Sequence, residues 1–225
     1  GDRIAATRTD LNYQHRVVVL ELFTGKELAT FENPLNDFYS MPRWTSDGKK
    51  IAALKTTSKG KSVVLLDPEG EAEQELLPMS QENIGYPVVY GNWLLFNSPV
   101  SGIDNIYAFH MESGKRYQVT SSKYGAYNPA VSADGAEIYY NEQGRDGMDV
   151  AKIRFDSLSW KVYSAPIKLK TFFQHLVDQE GMPNLFQTVP QQTFTVKRYA
   201  KASGFINPYS WGLVVGNDLT TINAA

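Results

Sequence analysis

The sequence predicts an all-β protein built from repeated antiparallel sheets of four short strands. Apolar runs follow the glycines at positions 1, 48, 91 and 135, so successive units begin 47, 43 and 44 residues apart. The runs are rich in Val, Ile, Tyr, Phe and Trp, and clusters of Gly, Asp, Asn and Ser separate them. A period of about 43 residues with four strands in each unit is typical of β-propeller blades.

Each strand of the unit has its own signal. The first contains a proline, in “MPRW”, “YPVV” and “NPAV”, and the second follows the turn glycine, in “GDRIAATRTD”, “GKKIAALKTT”, “GNWLLFNSPV” and “GAEIYYNEQG”. The third is a further apolar run, in “RVVVLELFTGK”, “SVVLLDPEGE”, “NIYAFHMESGK” and “DVAKIRFDS”. A more polar fourth strand is expected to close each unit, in “ELATF”, “EQELL”, “RYQVT” and “KVYSA”.

These signals predict a propeller segment of about four blades, with boundaries near 1–38, 39–82, 83–125 and 126–165. The first blade is incomplete, because the sequence begins at the turn glycine and the leading strand is missing. From residue 166 to residue 225 the pattern stops, which predicts an irregular C-terminal extension. Within it, “TFTVKRYA” and “WGLVVG” are strand candidates, whereas “FFQHLVDQ” could be a helical turn or a strand.

Two of the units resemble a known family. “PRWTSDGKKIAAL” and “PAVSADGAEIYY” are similar to the WD40-like (PD40) repeat of TolB-type bacterial propellers, in which a proline, an aromatic or apolar residue and Ser-x-Asp-Gly precede a β run. The third unit departs from this pattern, because Tyr90-Gly91-Asn92 replaces the turn. The resemblance implies a periplasmic location and outer-membrane association. It implies no single activity, because enzymes, transport accessories and scaffolds all use this repeat.

The C-terminal stretch “INPYSWGLVVGNDLTTINA” resembles the linker that joins a propeller to an outer-membrane β-barrel in large TolB-like proteins. The alternative is a strand or loop that packs on the last blade, and the sequence leaves both open. We expect the chain to be a piece of a longer protein. An incomplete ring would leave apolar faces on its end blades, which predicts self-association unless “TFTVKRYA” or “WGLVVG” pairs beside an end blade.

Composition and motifs exclude several kinds of chemistry. The formal net charge of -2 argues against nucleic acid as a partner, and the lack of cysteine excludes disulfides and thiolate sites. His15, His110 and His175 lack zinc-site spacing, and no nucleophile elbow or phosphate-binding glycine loop occurs. We therefore predict no catalytic residues, no metal and no cofactor in this chain.

Aromatic residues are the candidate binding residues. Tyr39, Trp44, Tyr86, Tyr124 and Tyr127 lie just before or within the first strands of blades, which line the channel of a propeller. Tyr and Trp combine a large apolar ring with a polar atom and are enriched where proteins bind one another. The alternative is that these rings pack between adjacent blades.

The sequence therefore predicts a non-catalytic protein-binding or scaffold module of a bacterial envelope protein. Its partner would be another envelope protein or other domains of the same parent chain. The alternative is the accessory propeller of a peptidase, either S9-like or a metallopeptidase, whose catalytic domain lies outside this chain. Carbohydrate binding through the aromatic residues is a third possibility.

Overall fold

The structure is a computed structural model that describes residues 1–69, 73–164, 174–181 and 192–195. The chain divides into two units, Gly1–Leu169 and Lys170–Ala225. The described part of the first unit consists of antiparallel sheets, which confirms the predicted all-β fold. The predicted residue boundaries of the blades stay predictions.

The described part of the second unit contains one helix, α1 (Gln174–Glu180), so most of “FFQHLVDQ” is helical. No helix in the described ranges has the length and hydropathy needed to cross a membrane. The predicted strand “WGLVVG” and the barrel-linker stretch lie outside the described residues, as does “TFTVKRYA” beyond Thr195.

Four sheets follow one another along the chain, and the repeated apolar runs form their strands. Among the described residues, the first sheet has the order β1 (Arg3–Thr9), β2 (His15–Glu21), β3 (Glu27–Thr30), without a leading strand before β1. The second sheet contains β4 (Phe38–Trp44), β5 (Ile51–Thr57), β6 (Gly60–Leu66) and β7 (Glu73–Ser80). The third contains β8 (Gly85–Tyr90), β9 (Trp93–Ser98), β10 (Asn105–His110) and β11 (Lys115–Gln118). The fourth contains β12 (Ala126–Val131), β13 (Glu137–Gln143) and β14 (Met148–Arg154).

The last strand of the first unit does not join the fourth sheet. “KVYSA” was predicted to close that sheet, but β15 (Lys161–Val162) pairs with β11 and extends the third sheet to five strands. Aromatic packing explains the difference, because the Trp160 ring lies 4.9 Å from that of Trp93 in the third sheet. Just after β15, the Tyr163 amide donates to the Arg116 carbonyl oxygen at 2.9 Å.

Neighbouring sheets pack face against face, and the second sheet shows how. Side chains alternate between the two faces of a strand. In β5, Ile51 and Ala53 pack in the cluster shared with the first sheet, whereas Ala52 and Leu54 pack in the cluster shared with the third. A continuous apolar run therefore marks a strand that is covered on both faces.

The sheets fan out from their first strands. β4 contacts both β1 and β8, and β8 contacts β12. Each of β4, β8 and β12 lies at one edge of its own sheet. These three strands, called the inner strands below, therefore line the axis from which the sheets radiate like propeller blades.

The outer face of the fourth sheet carries both charged and apolar side chains. In this sheet, Ile138 packs toward the third sheet, so Glu137 and Tyr139 face outward. Lys152 Nζ lies 2.7 Å from a Glu137 carboxylate oxygen, and the Tyr139 hydroxyl donates to the other at 2.8 Å. Val150 lies on the same face and is 76% exposed. The apolar end faces expected from the sequence, and self-association through them, stay predictions.

A buried histidine connects the first two sheets. His15 is 8% exposed, and its Nε2 lies 2.6 Å from the Tyr39 carbonyl oxygen, which can only accept a hydrogen bond. Nε2 therefore carries a proton, and in the neutral ring Nδ1 accepts from the Thr9 hydroxyl at 2.9 Å. The sequence alone had placed His15 in a polar turn, where burial was not visible.

Candidate interaction site

Tyr39, one of the predicted binding residues, lies between the first and second sheets. It is 6% exposed, and its hydroxyl donates to a Glu73 carboxylate oxygen at 2.6 Å. Lys55 Nζ lies 2.8 Å from the other oxygen of Glu73. Burial raises the pKa of Tyr39 to about 12, and the hydrogen bond to Glu73 contributes to this rise. The ring and hydroxyl of Tyr39 thus belong to a cluster between blades.

Trp44 lies at the opposite end of the same strand. It lies five positions after Tyr39, which corresponds to about 16 Å along an extended strand. The Arg3 guanidinium lies 4.8 Å from the Trp44 ring centroid, a cation–π contact. The indole Nε1 is buried and has no hydrogen-bond partner in the described part of the chain.

Tyr124 and Tyr127 lie at the start of the fourth sheet. Tyr124 is 49% exposed, with Lys123 Nζ 5.1 Å from its ring centroid. Tyr127 is half-buried and folds back on Gly125, where an added Cβ would lie 2.6 Å from the ring. Burial raises the pKa of Tyr127, as does the nearby charge of Asp104. The five predicted residues therefore do not form one cluster.

The inner strands share an unusual backbone feature. Met41, Tyr86 and Asn128 each precede a proline, and they have φ values of 54°, 52° and 54°. Non-glycine residues seldom adopt positive φ, and Asn does so more readily than Met or Tyr. Such conformations cost about 1–3 kcal/mol each and are concentrated at functional sites.

A β-bulge at the same place in each inner strand accounts for these conformations. The register of β4 against β5 shifts between Ser40 and Arg43, where three steps along β4 face two along β5. Equivalent shifts occur between Gly85 and Val88 in β8, and between Tyr127 and Ala130 in β12. Proline has no N–H to donate, so it fits an edge strand at a bulge.

The bulges bring side chains of different sheets together. The Met41 sulfur accepts a hydrogen bond from the Tyr86 amide at 3.2 Å. Arg43 Nη1 donates to the Pro129 carbonyl oxygen at 3.1 Å, and Nη2 donates to Asn128 Oδ1. Arg43 thus reaches from the second sheet past the third to the fourth. We call Met41, Arg43, Tyr86 and Asn128 the inner-strand site.

Electrostatically, Arg43 is the distinctive member of the inner-strand site. The residue is half-buried, and both of its hydrogen-bond acceptors are neutral. Burial lowers the pKa of Arg43, while the nearby Tyr86 phenol raises it. Among the described residues, no carboxylate forms an ion pair with Arg43. The described part of the chain therefore supplies no negative partner for the positive charge of this site.

Tyr86 is the one predicted binding residue that lies in this site. Met41, Arg43 and Asn128 were missed because only aromatic residues were considered as binding residues, although “MPRW” and “NPAV” contain all three. Aligning “MPRW”, “YPVV” and “NPAV” on their prolines could have identified Met41 and Asn128, which precede the proline in the chain as Tyr86 does. The described residues contain no group of His, Asp and Glu side chains that could hold a metal ion.

Comparison with known proteins identifies the class of fold. No protein-family model and no curated protein matches the sequence. Among solved structures, a TolB candidate from Agrobacterium tumefaciens matches with a TM-score of 0.60 and 17% identity, over 72% of this chain and 61% of the other. TolB from Acinetobacter baumannii matches with a TM-score of 0.58 and 17% identity, over 75% of this chain and 42% of the other. The chain thus has the fold of a TolB-like β-propeller, as predicted.

Other propellers also match. A puromycin-hydrolyzing peptidase from Mycobacterium tuberculosis has a TM-score of 0.52 and 15% identity, over 75% of this chain and 28% of the other. This chain spans less than two thirds of each of these three proteins. At such identities the likeness concerns the fold, which is that of a propeller module.

Proposed function

We propose that this propeller is a non-catalytic protein-binding module of a bacterial cell envelope, exposed to the periplasm and associated with the outer membrane. The observation that carries the proposal is the inner-strand site, where Arg43 is half-buried, interacts with Tyr86 and has no carboxylate partner among the described residues. Strained backbone and unpaired charge in the folded state are features of sites that are completed by a ligand. The fold shared with two TolB structures supports the envelope setting.

The partner is a protein segment that reaches the inner strands. Interfaces concentrate their binding energy in a few aromatic and arginine residues, and the inner-strand site offers one of each. Tyr124, at the start of the fourth sheet, is 49% exposed and stays a candidate contact residue. Tyr39 and Trp44 are not members of the inner-strand site.

Photo-crosslinking tests this function. A benzoyl-phenylalanine at Tyr86 should crosslink to an envelope protein in periplasmic extract, whereas the same group at Tyr139, on the outer face of the fourth sheet, should not. The identified partner, once purified, should bind the unmodified protein at least about tenfold more tightly than the Tyr86→Asn variant. Asn is chosen because it accepts the positive φ of this position. Equal crosslinking from both positions would refute the proposed site.

A second candidate function is that of an accessory propeller for a peptidase. It is favoured by the match to the puromycin-hydrolyzing peptidase. The complete reading frame separates the two candidates. A downstream Gly-x-Ser-x-Gly elbow or an upstream His-Glu metal motif would support the peptidase role, and a run of alternating ten-residue strands would support the envelope module.

A further inference from the structure

We propose that Arg43 anchors a carboxylate group of the bound protein segment at the inner-strand site. This inference rests on the proposed function and gives the chemistry of what the site recognises. The carboxylate can come from an acidic side chain or from the C-terminus of a chain, and the experiment below distinguishes these sources.

The Arg43 guanidinium has N–H donors that its contacts with the fourth sheet do not use. It carries five N–H groups in a planar fork. One hydrogen on Nη1 is directed to the Pro129 carbonyl oxygen and one on Nη2 to Asn128 Oδ1. Nε has no hydrogen-bond partner among the described residues, and it is not fully buried. The second hydrogens of Nη1 and Nη2 also have no acceptor among the described residues. These three N–H groups are the donors that the proposal assigns to the ligand.

The site fits a carboxylate better than a phosphate. A carboxylate matches the fork of one arginine with two parallel hydrogen bonds. Phosphate sites gather several cations or backbone amides at a helix N-terminus, whereas Arg43 is the one cation among the four residues of this site. Tyr86 lies close enough to Arg43 for the two side chains to interact electrostatically.

The equivalent positions in the other sheets show that the fold does not need an arginine here. Each inner strand places one residue directly after its proline, namely Arg43, Val88 and Ala130. Val88 and Ala130 fill this position with small apolar side chains. A partly buried charge is no more stabilising than an apolar residue of similar size, so its presence points to a ligand.

The test uses matched peptides and nuclear magnetic resonance of the whole protein. The first pair of peptides differs by one glutamate or glutamine, both with an amidated C-terminus. The second pair has a free or an amidated C-terminus and no acidic side chain. In one of the two pairs, we expect the peptide with the carboxylate to bind about tenfold more tightly than the matching peptide without it. The same peptide should shift the backbone N–H resonance of Tyr86. Whichever pair shows the difference identifies the source of the carboxylate.

Variants assign the effect to Arg43. Arg43→Gln should abolish the difference between acid and amide, and Arg43→Lys should reduce it because the fork is lost. Arg154→Gln, the same change at an exposed arginine of β14, should leave it intact. If Arg43→Gln fails to fold, the Tyr86 shift in the unmodified protein and the Arg43→Lys variant still decide the question.

Failure of the carboxylate anchor can be distinguished from failure of the proposed function. Equal binding of acid and amide at millimolar concentration in both pairs, or a difference that survives in Arg43→Gln, overturns the carboxylate anchor. If the crosslinked partner nevertheless binds at Tyr86, the proposed function stands without it. Inorganic phosphate competing better than acetate at equal ionic strength would also overturn the inference, because it would identify a different oxyanion.

Discussion

Gly48 and Gly135 occupy the same place in two Asp-Gly turns, yet their surroundings differ. Their φ values are +68° and +72°. A Cβ on Gly48 would meet nothing within 4 Å, whereas a Cβ on Gly135 would lie 1.9 Å from the Tyr90 hydroxyl oxygen. Both turns are evident in the sequence, but the ring that closes on the second one comes from the preceding sheet. Local motifs cannot reveal such a neighbour.

At the residue scale, we expect Gly135→Ala to destabilise the protein more than Gly48→Ala. Gly48→Ala should lower the free energy of unfolding by about 1–2 kcal/mol, because alanine disfavours positive φ. Gly135→Ala should lower the free energy of unfolding by about 1–3 kcal/mol more than Gly48→Ala does, since the Tyr90 ring must move. Urea denaturation measures both. In a Tyr90→Ala background the excess should vanish, and equal losses in the unmodified background would contradict the packing described here.

The inner strands illustrate what can be known at the scale of an element. Their prolines and apolar residues predict strands, and the structure confirms strands at all three places. The bulges and the positive φ values could not be predicted, because proline normally disfavours helical conformations in the residue before it and gives no sign of a left-handed one. Two-residue strands such as β15 are equally hard to place, since their partners are chosen by the aromatic residues beside them.

Substitution at Asn128 tests the backbone of these bulges. In an ordinary strand, glycine is less favourable than alanine by about 0.5–1 kcal/mol. At a φ of 54° the order should reverse, so Asn128→Gly should be more stable than Asn128→Ala by about 1 kcal/mol. Both variants lose the amide that accepts from Arg43, so the comparison isolates the backbone. Chemical denaturation monitored by tryptophan fluorescence gives the two values.

The control for this prediction lies on the same strand. Ala130 is exposed and has no positive φ, so Ala130→Gly should be destabilising by about 0.5–1 kcal/mol. Finding Asn128→Ala more stable than Asn128→Gly would show that this residue does not hold a left-handed conformation in solution.

At the scale of the whole molecule, one ion pair joins segments that are distant in sequence. Glu82 lies between the second and third sheets, and its carboxylate receives hydrogen bonds from Arg116 on β11 and from Ser98. The Arg116 guanidinium lies 4.5 Å from the Tyr107 ring centroid and 4.7 Å from that of Tyr163. The pair therefore links the connection between the second and third sheets to β11 and to the segment after β15.

This pair should make stability depend on acid pH. Burial alone would raise the pKa of Glu82, but the hydrogen bonds from Arg116 and Ser98 outweigh burial and hold the pKa below its usual 4.5. A lowered pKa in the folded state stabilises the protein above the pKa of the unfolded carboxyl, and this contribution is lost as pH falls through the folded value. We expect the free energy of unfolding to fall on acidification below about pH 4.5, and less steeply in Glu82→Gln.

Denaturation midpoints at a series of pH values provide the measurement. Glu82→Gln should also lower stability at neutral pH by about 1–3 kcal/mol, because it removes one charge of a partly buried pair. Glu75→Gln, at an exposed position of β7, serves as the control. Its free energy of unfolding should fall with pH as steeply as that of the unmodified protein. Identical slopes in Glu82→Gln and the unmodified protein would rule out this pair as a source of acid sensitivity.

The inner-strand site shows why the fold can be predicted from the sequence more readily than the position of a binding site. The repeat occurs four times, so each copy supports the same interpretation. Arg43 occurs once, and its acceptors at Asn128 and Pro129 belong to the fourth sheet. Their proximity depends on how the sheets radiate from the axis, which no local pattern encodes.

The Glu137–Lys152 pair on the outer face of the fourth sheet has a consequence for concentrated solutions. Sheets that add to one another head to tail form a non-closing contact, and such a contact grows into filaments. Any stacking contact that covers this face would remove water from the Glu137–Lys152 pair, and desolvating two charges is costly. The pair therefore disfavours fibre growth through the fourth sheet.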